Sequence, residues 1–236
     1  MKVAALYSGL FRWYEGWEEN HRKITAFCDE VHYTTWKGKP APRDKICVRF
    51  PEPAIKYAPM HIPEITKRWP RMKKHLFNPA QMWLTKQIIA HQCACNLINA
   101  DDYDVVIRMR YDVWLGNHDW KSFIDKVAEE KVVISFGGWN NKMDKDKTIC
   151  EELIVPNEEN GGSKMEGQIL DFLNMHPGYK MKNAIKLHNE RKLAPANLGW
   201  QQVLGDPYPE TPINYGGGVM LTRYRQKALH HIPGGF

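Results

Sequence analysis

Asp104-Val-Val-Ile-Arg-Met-Arg-Tyr-Asp-Val-Trp-Leu115 is the stretch on which the fold turns. Its first half is apolar and β-branched, which predicts a core strand. Alternation along that strand puts Val105, Ile107 and Met109 on one face, and Val106, Arg108, Arg110 and Asp112 on the other. Two guanidinium groups and a carboxylate therefore gather where the strand leaves its sheet. Ligands of open α/β sheets bind in the crevice beyond the carboxyl ends of the strands. Arginine forks pair with phosphate oxygens, and a carboxylate there suits a hard divalent cation that bridges phosphates, so the group types match a pyrophosphate site. A structural Arg–Asp ion pair closing a half-buried strand end accounts for the same spacing, because buried charges are seldom unpaired.

Working outward, residues 2–7 read as a buried strand ended by the turn chemistry of Ser8-Gly9. An amphipathic helix over 15–29 follows, with Trp17, Ile24 and Phe27 as its apolar positions, and then a β-branched and aromatic strand over 31–36. That is a β-α-β unit. A further strand is expected at 46–50, and the Pro-rich stretch 51–70 runs as loop or short turns. Asn78-Pro79 starts a long helix to about residue 99, with Asn as the cap, Pro at the first helical position, and Met82, Ile89 and Leu97 at helical spacing. Beyond the opening stretch, a helix over 120–131 leads to an apolar strand over 132–136 in a second β-α-β crossover. Helices are expected at 166–174 and 200–204, and a last strand at 219–222. Asp101, Asp102 and Asp104 read as a polar turn before the central strand.

Bulk properties bound the class. The 236 residues are 43% hydrophobic and 25% charged, which is enough to build one sizeable core, so a single domain is expected over 1–236. A net charge of +6 favours anionic partners without naming them. Part of that charge lies in Lys67, Arg68, Arg71, Lys73, Lys74 and His75, either a solvated face or a phosphate-facing patch. With Trp69 for stacking, that patch also suits a basic nucleic-acid-binding protein. Five irregularly spaced cysteines and no secretory leader predict a reducing, cytoplasmic setting. Cys93 and Cys95 lie in a helical run with no second ligand pair, so they read as buried free thiols rather than a zinc site. No run approaches the roughly 20 apolar residues of a membrane span, which leaves at most a peripheral membrane contact.

The run Tyr103-Asp-Val-Val-Ile-Arg-Met-Arg-Tyr-Asp112 resembles the Tyr-Asp-x-x-Ile-Arg-x-Arg-x-Asp segment of GT-A fold glycosyltransferases of the WavE type, related to lipopolysaccharide and capsule synthesis, and of similar viral and phage enzymes. Leu6-Tyr7-Ser8-Gly9-Leu10-Phe11-Arg12 is similar to their Ser-Gly-x-x-Arg opening, and Val31-His32-Tyr33-Thr34-Thr35-Trp36 to the strand ending in Thr-Trp. The resemblance covers roughly residues 2–115. It implies an α/β, GT-A-like (Rossmann-related) single domain with a mostly parallel central sheet flanked by helices. Residues 1–115 would form the nucleotide-sugar-binding half and 116–236 the acceptor side. It also implies a nucleoside-diphosphate sugar as donor and a glycan or glycoprotein as acceptor, in the cytoplasm, or the host cytoplasm for a viral enzyme.

The donor would meet Tyr7, Ser8, Gly9, Arg12, Trp36, Arg108, Arg110 and Tyr111. Asp112 would hold Mn²⁺ or Mg²⁺ and, with Arg110, stabilise diphosphate charge. This chain has Arg110-Tyr111-Asp112 where the fold commonly has Asp-x-Asp, so Arg110 can take over part of the cation's work. The missing first Asp equally suits a non-catalytic sugar-nucleotide-binding module. Asn197 to Asp206 is similar to a Gly-Trp-Glu-Asp segment that supplies the base in some inverting enzymes, which points to Asp206. Gln201 and Gln202 replace its acids, and an ordinary amphipathic helix explains the segment as well.

Overall fold

A computed structural model describes residues 1–12, 16–54, 79–136, 173–194, 196–205 and 219–221. The strands are β1 (Val3–Tyr7), β2 (Glu30–Trp36), β3 (Cys47–Phe50), β4 (Val105–Met109), β5 (Val113–Leu115), β6 (Ile134–Phe136), β7 (Leu173–His176) and β8 (Val219–Leu221). The helices are α1 (Trp17–Thr25), α2 (Pro79–Leu97), α3 (Trp120–Glu130), α4 (Ala184–Asn189) and α5 (Ala196–Leu204). Six strands form one mixed sheet in the order β3-β2-β1-β4-β7-β6. β3, β2, β1 and β4 run parallel, whereas β7 is antiparallel to both β4 and β6. β5 and β8 pair apart from it as an antiparallel ribbon.

The sheet separates two apolar layers, and the period-two pattern of the strands decides which residue enters which. Val3, Ala5 and Tyr7 of β1, with Val105, Ile107 and Met109 of β4, join Trp17 and Ile24 of α1 and Trp120, Ile124 and Val127 of α3. Ala4 and Leu6 of β1 and Val106 of β4 join Ile88 and Ile89 of α2 and Trp200 and Leu204 of α5. All five residues of β1 and of β4 are buried, as fits strands covered on both faces. Asp119 caps α3 by accepting from the Ser122 amide at 3.1 Å.

Sequence expectations hold for most elements and fail at instructive points. The crossover through α3 does return β6 parallel to β4, but β7 inserts between them. Residues 173–174 belong to that strand rather than to a helix, while 166–172 lie outside the described residues. α1 is shorter than expected and ends before Phe27, which is 42% exposed; Leu97, at the end of α2, is 46% exposed. The spacing was helical at both positions, but the neighbouring layer does not extend that far. The acids before β4 do form a turn, the 3₁₀ segment Ala100–Asp102. Asn78 and the basic stretch at 67–75 lie outside the described residues.

Candidate functional site

β1 sends its crossover to β2 on one side, while β4 lies on its other side, so the order 3-2-1-4 reverses direction between β1 and β4. Open α/β sheets commonly bind ligands at such a switch point, because the connections diverge there. Two segments leave the sheet at this point: Ser8 to Arg12 after β1, and Arg110 to Asp112 after β4. Ser8 is stitched to β4 by its amide, which donates to the Met109 carbonyl at 3.3 Å.

Arg12 and Asp112 do meet, and the Arg110–Asp112 ion pair that the spacing also allowed is formed. Arg110 grips Asp112 with a two-pronged contact, Nε to Oδ1 at 2.9 Å and Nη2 to Oδ2 at 3.0 Å. Arg12 arrives from the β1 loop with Nη1 at 3.5 Å from Oδ2. The Asp112 side chain is only 8% exposed, whereas that of Arg12 is 51% exposed. Burial alone would raise the Asp112 carboxyl, but the Arg110 guanidinium, helped by Arg12, outweighs burial and holds it below the usual value. The cluster is an ionised acid between two cations, with one cation reaching solvent.

Phe11 fixes the approach of Arg12. Its ring meets Tyr111 edge-on at 5.0 Å and Trp17 at 6.1 Å, anchoring the loop in the core one residue before the guanidinium. Gly9 turns with φ of +104°, and a Cβ there would lie 2.2 Å from Oε1 of Gln87. The loop thus lies against α2, and the positive φ is what favours glycine there, since the Gln87 side chain could yield to a Cβ. The Ser8 hydroxyl is buried and has no hydrogen-bond partner among the described residues.

Other residues expected at the site have different surroundings. Tyr7 and Tyr111 are buried, their rings stack at 5.0 Å, and their hydroxyls are engaged, Tyr7 with Nδ1 of His21 at 2.9 Å and Tyr111 with the Thr34 carbonyl at 3.1 Å. Trp36 is 2% exposed. These three serve the interior rather than present a surface to a donor, since an aromatic strand end satisfies burial as readily as recognition. Arg108 is fully buried on the opposite sheet face from Met109, its guanidinium 4.7 Å from the Trp200 ring centre and Nη2 3.4 Å from Oε1 of Gln87. Gln87 links it to the loop after β1. Asp206 lies outside the described residues.

Sequence reading missed His21, which ties the end of β1 to the ribbon below it. A carbonyl only accepts, so Nε2 of His21 donates to Val113 O at 2.7 Å and Nδ1 accepts from Tyr7. Asn20 pairs with both backbone groups of Leu115 at 2.8 Å, as a neighbouring strand would. A polar residue inside an amphipathic helix pattern carried no signal of either role.

A divalent cation at Asp112 does not fit this donor set. Both carboxylate oxygens face guanidinium groups, which repel a cation, and Asp112 belongs to no group of three or more His, Cys, Asp or Glu side chains within reach of one ion among the described residues. No protein-family model and no curated protein matches the chain. Among the described residues, no helix is long and apolar enough to cross a membrane.

Proposed function

We propose that the carboxyl ends of β1 and β4 bind the diphosphate of a nucleotide sugar, and that the chain is a GT-A type glycosyltransferase moving a hexose or deoxyhexose to a glycan or glycoprotein acceptor. One observation carries this reading: Arg12, Arg110 and Asp112 converge at the point where the strand order reverses. Two guanidinium groups and one carboxylate leave a surplus positive charge, which draws in an anionic ligand. Arg12 is half exposed, so exchanging its carboxylate contact for a phosphate oxygen costs little.

Arg110 stays oriented by Asp112 and faces the leaving diphosphate as charge develops on it. A donor held in place beforehand stabilises such charge without reorganisation. Asp112 is then a positioning residue, kept ionised by its partners and poorly suited to take a proton. The buried Ser8 hydroxyl offers a further hydrogen bond to the ligand. The acceptor's proton goes to a base elsewhere, for which Asp206 is the candidate.

Thermal shift with nucleoside diphosphates and their sugar conjugates, with and without Mn²⁺, tests the reading, because a ligand of the native state raises its apparent stability. One nucleotide series should stabilise the wild type without requiring manganese, and Arg12→Ala should lose that shift. Failure of every nucleotide to shift the wild type would overturn it. The closure of both Asp112 oxygens by arginine favours one other outcome, a binding module without turnover, which gives the same shift but releases no nucleoside diphosphate in the presence of acceptor glycans.

A further inference from the structure

Beneath α2, away from the switch point, two imidazoles and a thiol meet in the interior. His91 and Cys95 stand four residues apart on α2, hence on one helix face, and His176 enters from the end of β7. All three are buried. The Nε2 atoms of the two histidines are 2.8 Å apart, Cys95 Sγ is 3.6 Å from Nε2 of His91, and the three ligand atoms lie within 4.8 Å of one another. Cys93, half buried two positions earlier, is not part of the group.

We propose that His91, Cys95 and His176 form a buried site for a d¹⁰ transition-metal cation, Zn²⁺ or Cu⁺. The spacing supports it. In a tetrahedral zinc site with bonds of about 2.05 Å to nitrogen and 2.3 Å to sulfur, the N···N separation is about 3.3 Å and N···S about 3.6 Å. The sulfur already stands at that distance from His91; the histidine pair would open by about half an ångström, and Sγ, within 4.8 Å of the His176 ligand atom, would settle at about 3.6 Å from it.

The surroundings support it too. Nδ1 of His176 donates to the Pro177 carbonyl at 2.8 Å, which fixes the tautomer and leaves the Nε2 lone pair aimed at the cluster. Metal-binding histidines are commonly oriented by such a bond. Imidazole with thiolate is the donor set that zinc and monovalent copper prefer, and one thiolate balances the charge of Cu⁺ fully and of Zn²⁺ in part. A pocket of about 230 Å³, walled in part by the exposed Asn99, Asp101 and Lys182, has Cys95 in its lining and brings solvent to that side of the group. Bound metal would cross-link α2 to β7, joining residues 85 positions apart in sequence.

The test is metal uptake by the reduced, full-length chain under anaerobic conditions. Zn²⁺ and Cu⁺ are titrated separately against chromophoric chelators, with Co²⁺ as a spectroscopic probe. One equivalent per chain, a thiolate-to-cobalt charge-transfer band, and a melting temperature raised by the tighter-binding ion are expected. Cys95→Ala and His176→Gln should each weaken binding roughly tenfold or more, and Cys95→Ala should abolish the band. Cys93→Ala should change neither. Circular dichroism establishes that the variants fold, and the wild-type titration does not depend on them. Absence of stoichiometric uptake by the folded wild type, or a cobalt band that persists in Cys95→Ala, would overturn the proposal.

Discussion

The mouth of the sheet and the layer beneath α2 both gather titratable side chains, and they treat charge in opposite ways. At the mouth the groups are ionised and matched: Asp112 sits between Arg110 and Arg12, with Arg12 reaching water. Beneath α2 the histidines are neutral, since burial draws His91 well below its ordinary value and His176 down to about 4. A charge is retained where solvent or a counter-ion supports it and is given up where neither is at hand. Arg108 and Arg110, two positions apart in sequence, show the contrast within one strand and its exit. Arg110 meets a carboxylate at the mouth, while Arg108 lies under the Trp200 ring beside the histidine layer.

The largest expected effect probes how tightly that inner layer is closed. Gly178 follows His176 by two residues, and a Cβ on it would lie 1.7 Å from the Ala100 carbonyl oxygen, a backbone atom with little room to retreat. Gly178→Ala should cost roughly 4 kcal/mol or more, or prevent folding, as read from the urea midpoint. A stable variant would mean the layer is looser than the mouth.

Next comes acid. His21 is a neutral base buried between Tyr7 and Val113, and burial lowers it to about 4 from 6.5. The unfolded chain therefore binds a proton that the folded chain refuses. Stability is complete above about pH 6.5 and falls as pH drops toward 4, on the order of 3 kcal/mol from this residue by then. His21→Gln, which can keep both hydrogen bonds, should flatten this acid limb in denaturation measured from pH 7 to 4. An unchanged slope would assign the acid sensitivity to the histidines under α2 instead.

Smaller is the effect of Asp112→Asn. It leaves Arg110 and Arg12 facing a neutral amide, and the partial exposure of both arginines limits the loss to about 2 kcal/mol by urea titration. Under the proposed function it also removes the nucleotide-induced thermal shift. Smallest is Arg12→Ala, whose half-exposed contact with Asp112 at 3.5 Å should change stability by less than about 1 kcal/mol. A larger loss would show that the mouth is as dependent on its charges for folding as the interior is on its packing.

Much of this was legible along the chain. The alternation of Val105, Ile107 and Met109 against Val106 and Arg108 gave the two faces of β4, and Gly9 marked the turn after β1. Arg12 and Asp112 were expected to meet, and they do. Tyr7, Tyr111 and Trp36 were expected at a ligand because an aromatic residue near a strand end looks the same whether it packs or binds; their burial separated the two. The cluster under α2 was half visible, since His91 and Cys95 share a helical spacing. His176 was not, for the helix expected over 166–174 stops short of it and no strand is expected there.

The sequence by itself determined which residues alternate across β1 and β4, where the first three strands of the main sheet begin and end and where the fourth begins, to within a residue or two, and which charged groups leave β1 and β4 together; that β4 stops at Met109, so that Arg110 and Asp112 stand in a turn rather than on a strand face, it did not. These depend on local period and turn chemistry, which act over a few residues. Only the tertiary structure decided that β7 slips in antiparallel between β4 and β6, that Asp112 is clamped by guanidinium on both oxygens, and that a histidine 85 positions away completes a pair beneath α2. Those outcomes depend on how layers share a common interior, and burial, which sets both strand order and the protonation of the buried histidines, is a property of the assembled layers and not of any one segment.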